Sequence, residues 1–187
     1  LFKLYYQDRD WSVNHQATHF QDALNKVDNK LYEEIKHYNS IIDTAGLEKL
    51  LKNDVSYHRY LESEGIAIYV YSDGNLKFWS SNRFIVPKEK SISGLSKAKN
   101  GFYLKKVIKK NNTTLIAQFY IKKLFAFQNS YISNSFDDKL YLEKGWDIQL
   151  EEIEGGTEII LASNKDSFFI KPNNLFEPPH NITLMIF

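Results

Sequence analysis

Ten residues in the middle of the chain place hydrogen-bonding tips on largely apolar or planar bodies: Tyr69, Tyr71, Trp79, Asn82, Arg83, Tyr103, Gln118, Tyr120, Gln128 and Asn129. Tyr and Trp bring apolar area together with a hydroxyl or an indole N–H, and Arg83 offers a planar guanidinium for a carboxylate or phosphate. Such a mixture is what a small-molecule pocket needs. Tyr69, Trp79, Asn82, Arg83, Tyr103, Gln118, Tyr120 and Gln128 are therefore the residues expected to touch a ligand. The competing use of strand aromatics is core packing, and the sequence does not say which face of a sheet each would occupy.

Other groupings point less far. His15 and His19 stand four apart, so on a helix they would share a face with Asp22, the spacing of a metal-ligating pair; an exposed polar face is the ordinary use of that pattern. Asp137-Asp138 and Glu151, Glu152 and Glu154 supply carboxylates, but no neighbouring residue argues for a displaced pKa, and they read as turn and strand-edge residues. Lys105, Lys106, Lys109, Lys110, Lys122 and Lys123 gather beside Tyr103 and Tyr120, and are read as exposed lysines that keep a sheet soluble and its edge unpaired. No Walker loop, dinucleotide fingerprint, nucleophile elbow or H-E-x-x-H motif occurs. The sequence thus leads us to expect no catalytic residue, no metal site and no cofactor.

Composition narrows the partners. The 187 residues carry 24 Lys+Arg against 23 Asp+Glu, which denies the chain the strong positive field of a dedicated nucleic-acid binder. With no Cys there is no disulfide framework, thiolate metal site or cysteine nucleophile. A hydrophobic fraction of 43%, with 13 Phe and 12 Tyr, is ample for a core. No run approaches the roughly 20 apolar residues of a membrane span.

The elements that must position these residues follow from periodicity. Phe20, Leu24, Val27, Leu31, Ile35, Tyr38 and Ile42 recur at spacings of four and three and predict an amphipathic helix from Thr18, whose capping box with Gln21 would start it unless His15 to Ala17 extend it upstream, and Gly46 would end it. Apolar residues between Leu47 and Leu61 predict one or two shorter helical turns. From Ile66 the period changes to two, and Ser72-Asp73-Gly74-Asn75 supplies turn residues before a second strand, Leu76 to Trp79. Asn82 to Lys99 reads as an irregular surface loop that would cover a ligand. Phe102 to Ile108 and Thr114 to Ile121 form a second hairpin, Leu124 to Phe136 a short helix, and Asp147 to Ile153, Glu158 to Ala162 and Ser167 to Ile170 three strands. The order predicts an α+β fold, with a long N-terminal helix packed on a mainly antiparallel sheet of about five strands. Residues 1–64 make the helical region and 65–187 the α+β domain, together one compact unit.

Three stretches carry more than composition: 65–82 with Trp79-Ser80, 100–107 with Asn100-Gly101-Phe102-Tyr103, and 115–136 with Asn129-Ser130-Tyr131. Together they resemble the extracytoplasmic sensor region of membrane-bound histidine kinases of the Bacteroidetes type, which often has Trp where this chain has Phe102. The resemblance implies a PAS- or Cache-like architecture and a piece lying between two membrane spans on the periplasmic side. It further implies an unknown small molecule or periplasmic partner protein as input, and kinase chemistry outside this stretch. A homodimer in the intact receptor is also expected. The alternative reading is a secreted or periplasmic enzyme of unrecognised type, or a protein-binding module.

Overall fold

The structure, a computed structural model, describes residues 2–51, 55–84, 86, 92–142 and 145–173, with helical side chains described for 12–50 and from 59 onward. Helix α1 (Phe2–Ala45) is followed by α2 (Leu47–Leu51) and α3 (Val55–Ser63). The strands are β1 (Ile66–Ser72), β2 (Asn75–Trp79), β3 (Gly94–Ala98), β4 (Gly101–Lys110), β5 (Thr113–Lys123), β6 (Ser135–Phe136), β7 (Trp146–Gln149), β8 (Thr157–Ile160) and β9 (Ser167–Pro172). A 3-10 turn at Asp138–Leu140 precedes β7.

The stripe behaves as its spacing requires. Phe20, Leu24, Leu31, Ile35 and Tyr38 are buried in one continuous core with Ile68, Val70, Leu104, Ala117 and Phe119 of the sheet. Each contributes about 1.5–3 kcal/mol by burial. Gly46 terminates α1 with φ +74° and its N–H on the Ile42 carbonyl. The start differs from expectation: α1 begins far upstream of Thr18, whose hydroxyl donates back to the Asn14 carbonyl at 2.8 Å inside the helix. A threonine followed three residues later by Gln satisfies the cap pattern, but the same hydroxyl is equally served by a helical carbonyl four residues back.

The main sheet is antiparallel throughout, in the order β2-β1-β5-β4-β3, with the short β6 pairing the end of β5. Asp73 and Gly74 both have positive φ, the requirement of a two-residue hairpin turn, and Asn112 in the β4–β5 turn donates to Asp73 at 2.7 Å. β7, β9 and β8 make a second antiparallel sheet. It shares the same core through Trp146, Ile148, Ile159, Phe168 and Ile170, and Phe20 packs edge-on against both Phe136 and Phe168. Gln21 on α1 completes the edge of β8 like a strand residue, donating to the Ile160 carbonyl and accepting from its N–H, each at 2.8 Å.

Three expectations need correction. The segment 82–99 is not all loop, because Gly94–Ala98 pairs with β4; residues 85 and 87–91 lie outside the described residues. Leu124 to Phe136 is not a helix: it is an irregular loop closed by β6. The strand expected over Asp147 to Ile153 stops at Gln149.

Candidate functional site

Alternation along β1, β4 and β5 gives the main sheet two lined faces. One packs on α1. The other carries Ala67, Tyr69 and Tyr71 from β1, Tyr103, Lys105 and Val107 from β4, and Ile116, Gln118 and Tyr120 from β5. Trp79 on the edge strand β2 sits opposite Tyr69. This second face is buried too: Tyr69, Tyr71, Tyr103, Gln118 and Lys105 are all under 5% exposed. Five of the eight expected residues, Tyr69, Trp79, Tyr103, Gln118 and Tyr120, therefore share one surface.

Its most telling group is Tyr69. The ring is fully buried and its hydroxyl has no hydrogen-bond partner among the described residues. Burial is the main cause that pushes its pKa up, with the Tyr103 and Tyr71 phenols adding to it, so the hydroxyl stays protonated and can donate. Tyr120 is raised as well, by burial first and then by its hydrogen bond with Tyr103. The Tyr103 and Tyr120 rings lie 4.4 Å apart, and Phe84 packs on Tyr120 at 5.9 Å.

The Asn100-Gly101-Phe102-Tyr103 motif sets this corner. Asn100 accepts from the Tyr103 hydroxyl at 2.6 Å through its side chain, and its carbonyl accepts from both the Tyr120 hydroxyl and the Leu124 N–H. Gly101 has φ +153°, and a Cβ there would meet the Lys122 carbonyl at 2.2 Å and the Tyr120 ring at 2.6 Å. Glycine is what lets β4 turn in over the ring. In the Trp79-Ser80 pair, the Ser80 hydroxyl accepts from the Ile68 N–H at 2.9 Å and ties the end of β2 to β1.

Beside this corner a cleft of about 410 Å³ is lined by Arg83, Phe84, Tyr120, Lys123 and Asp137, among others. Arg83 is 71% exposed along its side chain and stands 3.9 Å from Glu62, at the rim. Asp137 is half-buried, and desolvation raises its pKa although its carboxylate accepts from the Lys139 N–H. It is not the freely solvated turn residue that the sequence led us to expect.

The remaining expected residues lie elsewhere or at the edge. Asn82 accepts from the Trp79 indole at 2.7 Å, and Trp79 is 49% exposed. Gln128 is in the loop after β5, where its side-chain amide oxygen accepts from the Asn134 N–H; the Asn129 side chain likewise accepts from the Tyr131 and Ile132 N–H groups. Both serve that loop's backbone. Lys105 was missed as a site residue because it was grouped with exposed lysines, although the alternation Tyr103, Lys105, Val107 marks it as inward. Lys106 and Lys122 correct the same reading: Lys106 pairs with the buried Asp28 of α1 at 2.5 Å, and Lys122 with Asp147 at 2.6 Å. His15 and His19 are exposed with ring nitrogens 3.0 Å apart, and no group of three or more potential metal ligands occurs among the described residues.

No family model, curated protein or solved structure matches the chain.

Proposed function

We propose that the chain is an extracytoplasmic ligand-sensing domain of a two-component sensor histidine kinase, which holds a small molecule against the sheet face opposite α1. The observation that carries the reading is the Tyr69 hydroxyl, fully buried with no partner among the described residues on a face that also brings Tyr71, Tyr103, Gln118 and Lys105 together. Leaving a hydroxyl desolvated and unbonded costs about 1–3 kcal/mol, which a ligand acceptor would recover. The Tyr69 hydroxyl, a protonated donor, favours a ligand with a carboxylate or carbonyl oxygen. The long helix across an antiparallel sheet is the architecture that the kinase resemblance implies, and the intact receptor would work as a homodimer on the periplasmic side of the membrane.

The test is a thermal-shift screen of small carboxylates and amides against the wild type and Tyr69→Phe. A compound that raises the melting temperature of the wild type and fails on Tyr69→Phe supports the reading. Equal shifts in both proteins, or turnover of a screened compound, would sink it.

A further inference from the structure

The loop between β5 and β6 exposes more apolar side chain than any other stretch among the described residues. Phe127 is 90% and Tyr131 95% exposed, with Phe125 at 42% and Ile132 at 44% beside them. No charge occurs from Leu124 to Phe136, in a chain with 25% charged residues. Lys122 and Lys123 precede the stretch, and Asp137 to Lys139 follow it.

This loop is built to hold that shape. The Phe125 N–H donates to the Asn134 side chain at 2.9 Å, the Asn134 N–H to Gln128 at 3.0 Å, and the Tyr131 and Ile132 N–H groups to Asn129 at 2.9 and 2.8 Å. The Asn129 N–H bonds the Ile132 carbonyl at 2.8 Å. Side-chain amides thus satisfy backbone donors that water would otherwise serve, and that removes much of the cost of taking an irregular loop out of water.

Its place in the molecule names the occupant. From Asp43, paired with Lys110, to Phe20, packed on Phe136, α1 runs the length of β5. The loop therefore leaves the sheet at the end toward which the N-terminal part of α1 also projects. The last described residue of the chain lies there too: Asn173 bonds Gly145, next to Trp146, whose indole donates to Gln16 of α1 at 3.0 Å.

We infer that the loop 124–134 rests its aromatic tip on a phospholipid bilayer, with Phe127 and Tyr131 entering the interfacial region and Lys123 facing the lipid phosphates. Aromatic side chains favour that interface, and a nearby lysine adds attraction to anionic lipid. The inference leans on the receptor reading for the presence of a membrane at this end, but its test does not involve the ligand face. A failure here leaves the Tyr69 result standing, and the reverse holds.

The absence of cysteine allows single-site labelling. Ser130→Cys and, as the distant control, Lys109→Cys are labelled with an environment-sensitive nitrobenzoxadiazole dye. Each protein is tethered by an N-terminal histidine tag to phosphatidylethanolamine–phosphatidylglycerol vesicles containing a chelator lipid. The expected result is a severalfold rise in emission at 130, quenched by spin-labelled lipid, and none at 109. Phe127→Ser with Tyr131→Ser should cut that quenching at least roughly tenfold, while the thermal midpoint stays put because both side chains are exposed. A label at 130 that reports water on the tethered chain overturns the proposal. So does quenching that survives the double substitution, or an emission rise that follows protein concentration without lipid, which would assign the loop to a second copy.

Discussion

At the residue scale, a buried ion pair and a half-buried carboxylate behave in opposite ways. Asp28 and Lys106 are removed from water together, with Asp28 fully buried at the middle of α1 and Lys106 also donating to Ser163. Removing one partner leaves the other charge stranded, so Asp28→Ala should lower unfolding free energy by about 3–5 kcal/mol in urea titration, whereas Asp28→Leu combined with Lys106→Met should recover most of it. If the double variant is as unstable as the single one, the pair is contributing more than its own neutralisation. Among the described residues Asp137 makes no ion pair, and desolvation, outweighing the Lys139 N–H hydrogen bond and the Lys123 and Lys139 charges, holds its folded pKa above the ordinary carboxylate value. The folded chain then binds the proton more tightly than the unfolded one. Stability from this group is greatest below the unfolded pKa and falls as pH rises through the folded one, remaining lower above it. Asp137→Asn keeps an oxygen to accept from Lys139 and loses the charge, so its thermal midpoint should exceed the wild type's by about 2 °C at pH 7 and match it near the acid end of the titration. A lower midpoint at pH 7 would show that the carboxylate's contacts outweigh its burial.

At the scale of elements, legibility tracked how many constraints each segment met. The α1 stripe and the β1–β2 hairpin were readable because one buried face imposes a period, and Asp73-Gly74 permits little but a tight turn. β3 was not, since Gly94-Leu95-Ser96-Lys97-Ala98 has weak strand character and its pairing with β4 alone creates it. The loop after β5 has apolar residues at helical spacing, yet its Asn, Gln and Ser side chains compete for the backbone and win. For the site, the tyrosines were recoverable from alternation. Gln128 was misplaced with the helix that does not exist, and Lys105 was hidden among neighbouring lysines. Gly101 shows what a motif can carry beyond pattern: Gly101→Ala should cost about 2–3 kcal/mol by urea titration, because the added methyl meets backbone as well as the Tyr120 ring. An Ala variant of wild-type stability would mean that β4 can move off Tyr120 freely.

At the scale of the whole molecule, one face of the main sheet packs on α1 and the other is the proposed ligand surface, and adjacent residues of β4 reach both: Lys105 on one side, Lys106 with Asp28 on the other. The helix itself is divided along its length. Among the described residues its first fully packed side chain is Ala17, after which Phe20, Leu24, Leu31, Ile35 and Tyr38 bind it to the core. Its 44 residues make it about 66 Å long at roughly 1.5 Å per residue, and Val13 is the most upstream described side chain of the helix that packs on the core. Leu24→Asp or Leu31→Asp should therefore abolish cooperative unfolding altogether, since either buries a charge in the common core. Hydrogen exchange should show a step near Gln16, with amides from Ala17 to Tyr38 opening only with global unfolding and those upstream exchanging at least roughly a hundredfold faster through local fraying. If the proposed receptor pairs two copies along this upstream part of α1, raising the concentration of the chain should slow exchange upstream of Gln16 and leave the core amides unchanged. Tethering to a membrane would do the same at lower bulk concentration by raising the effective one. Upstream amides that are already slow in dilute solution and do not respond to concentration would place the contact between copies on another surface.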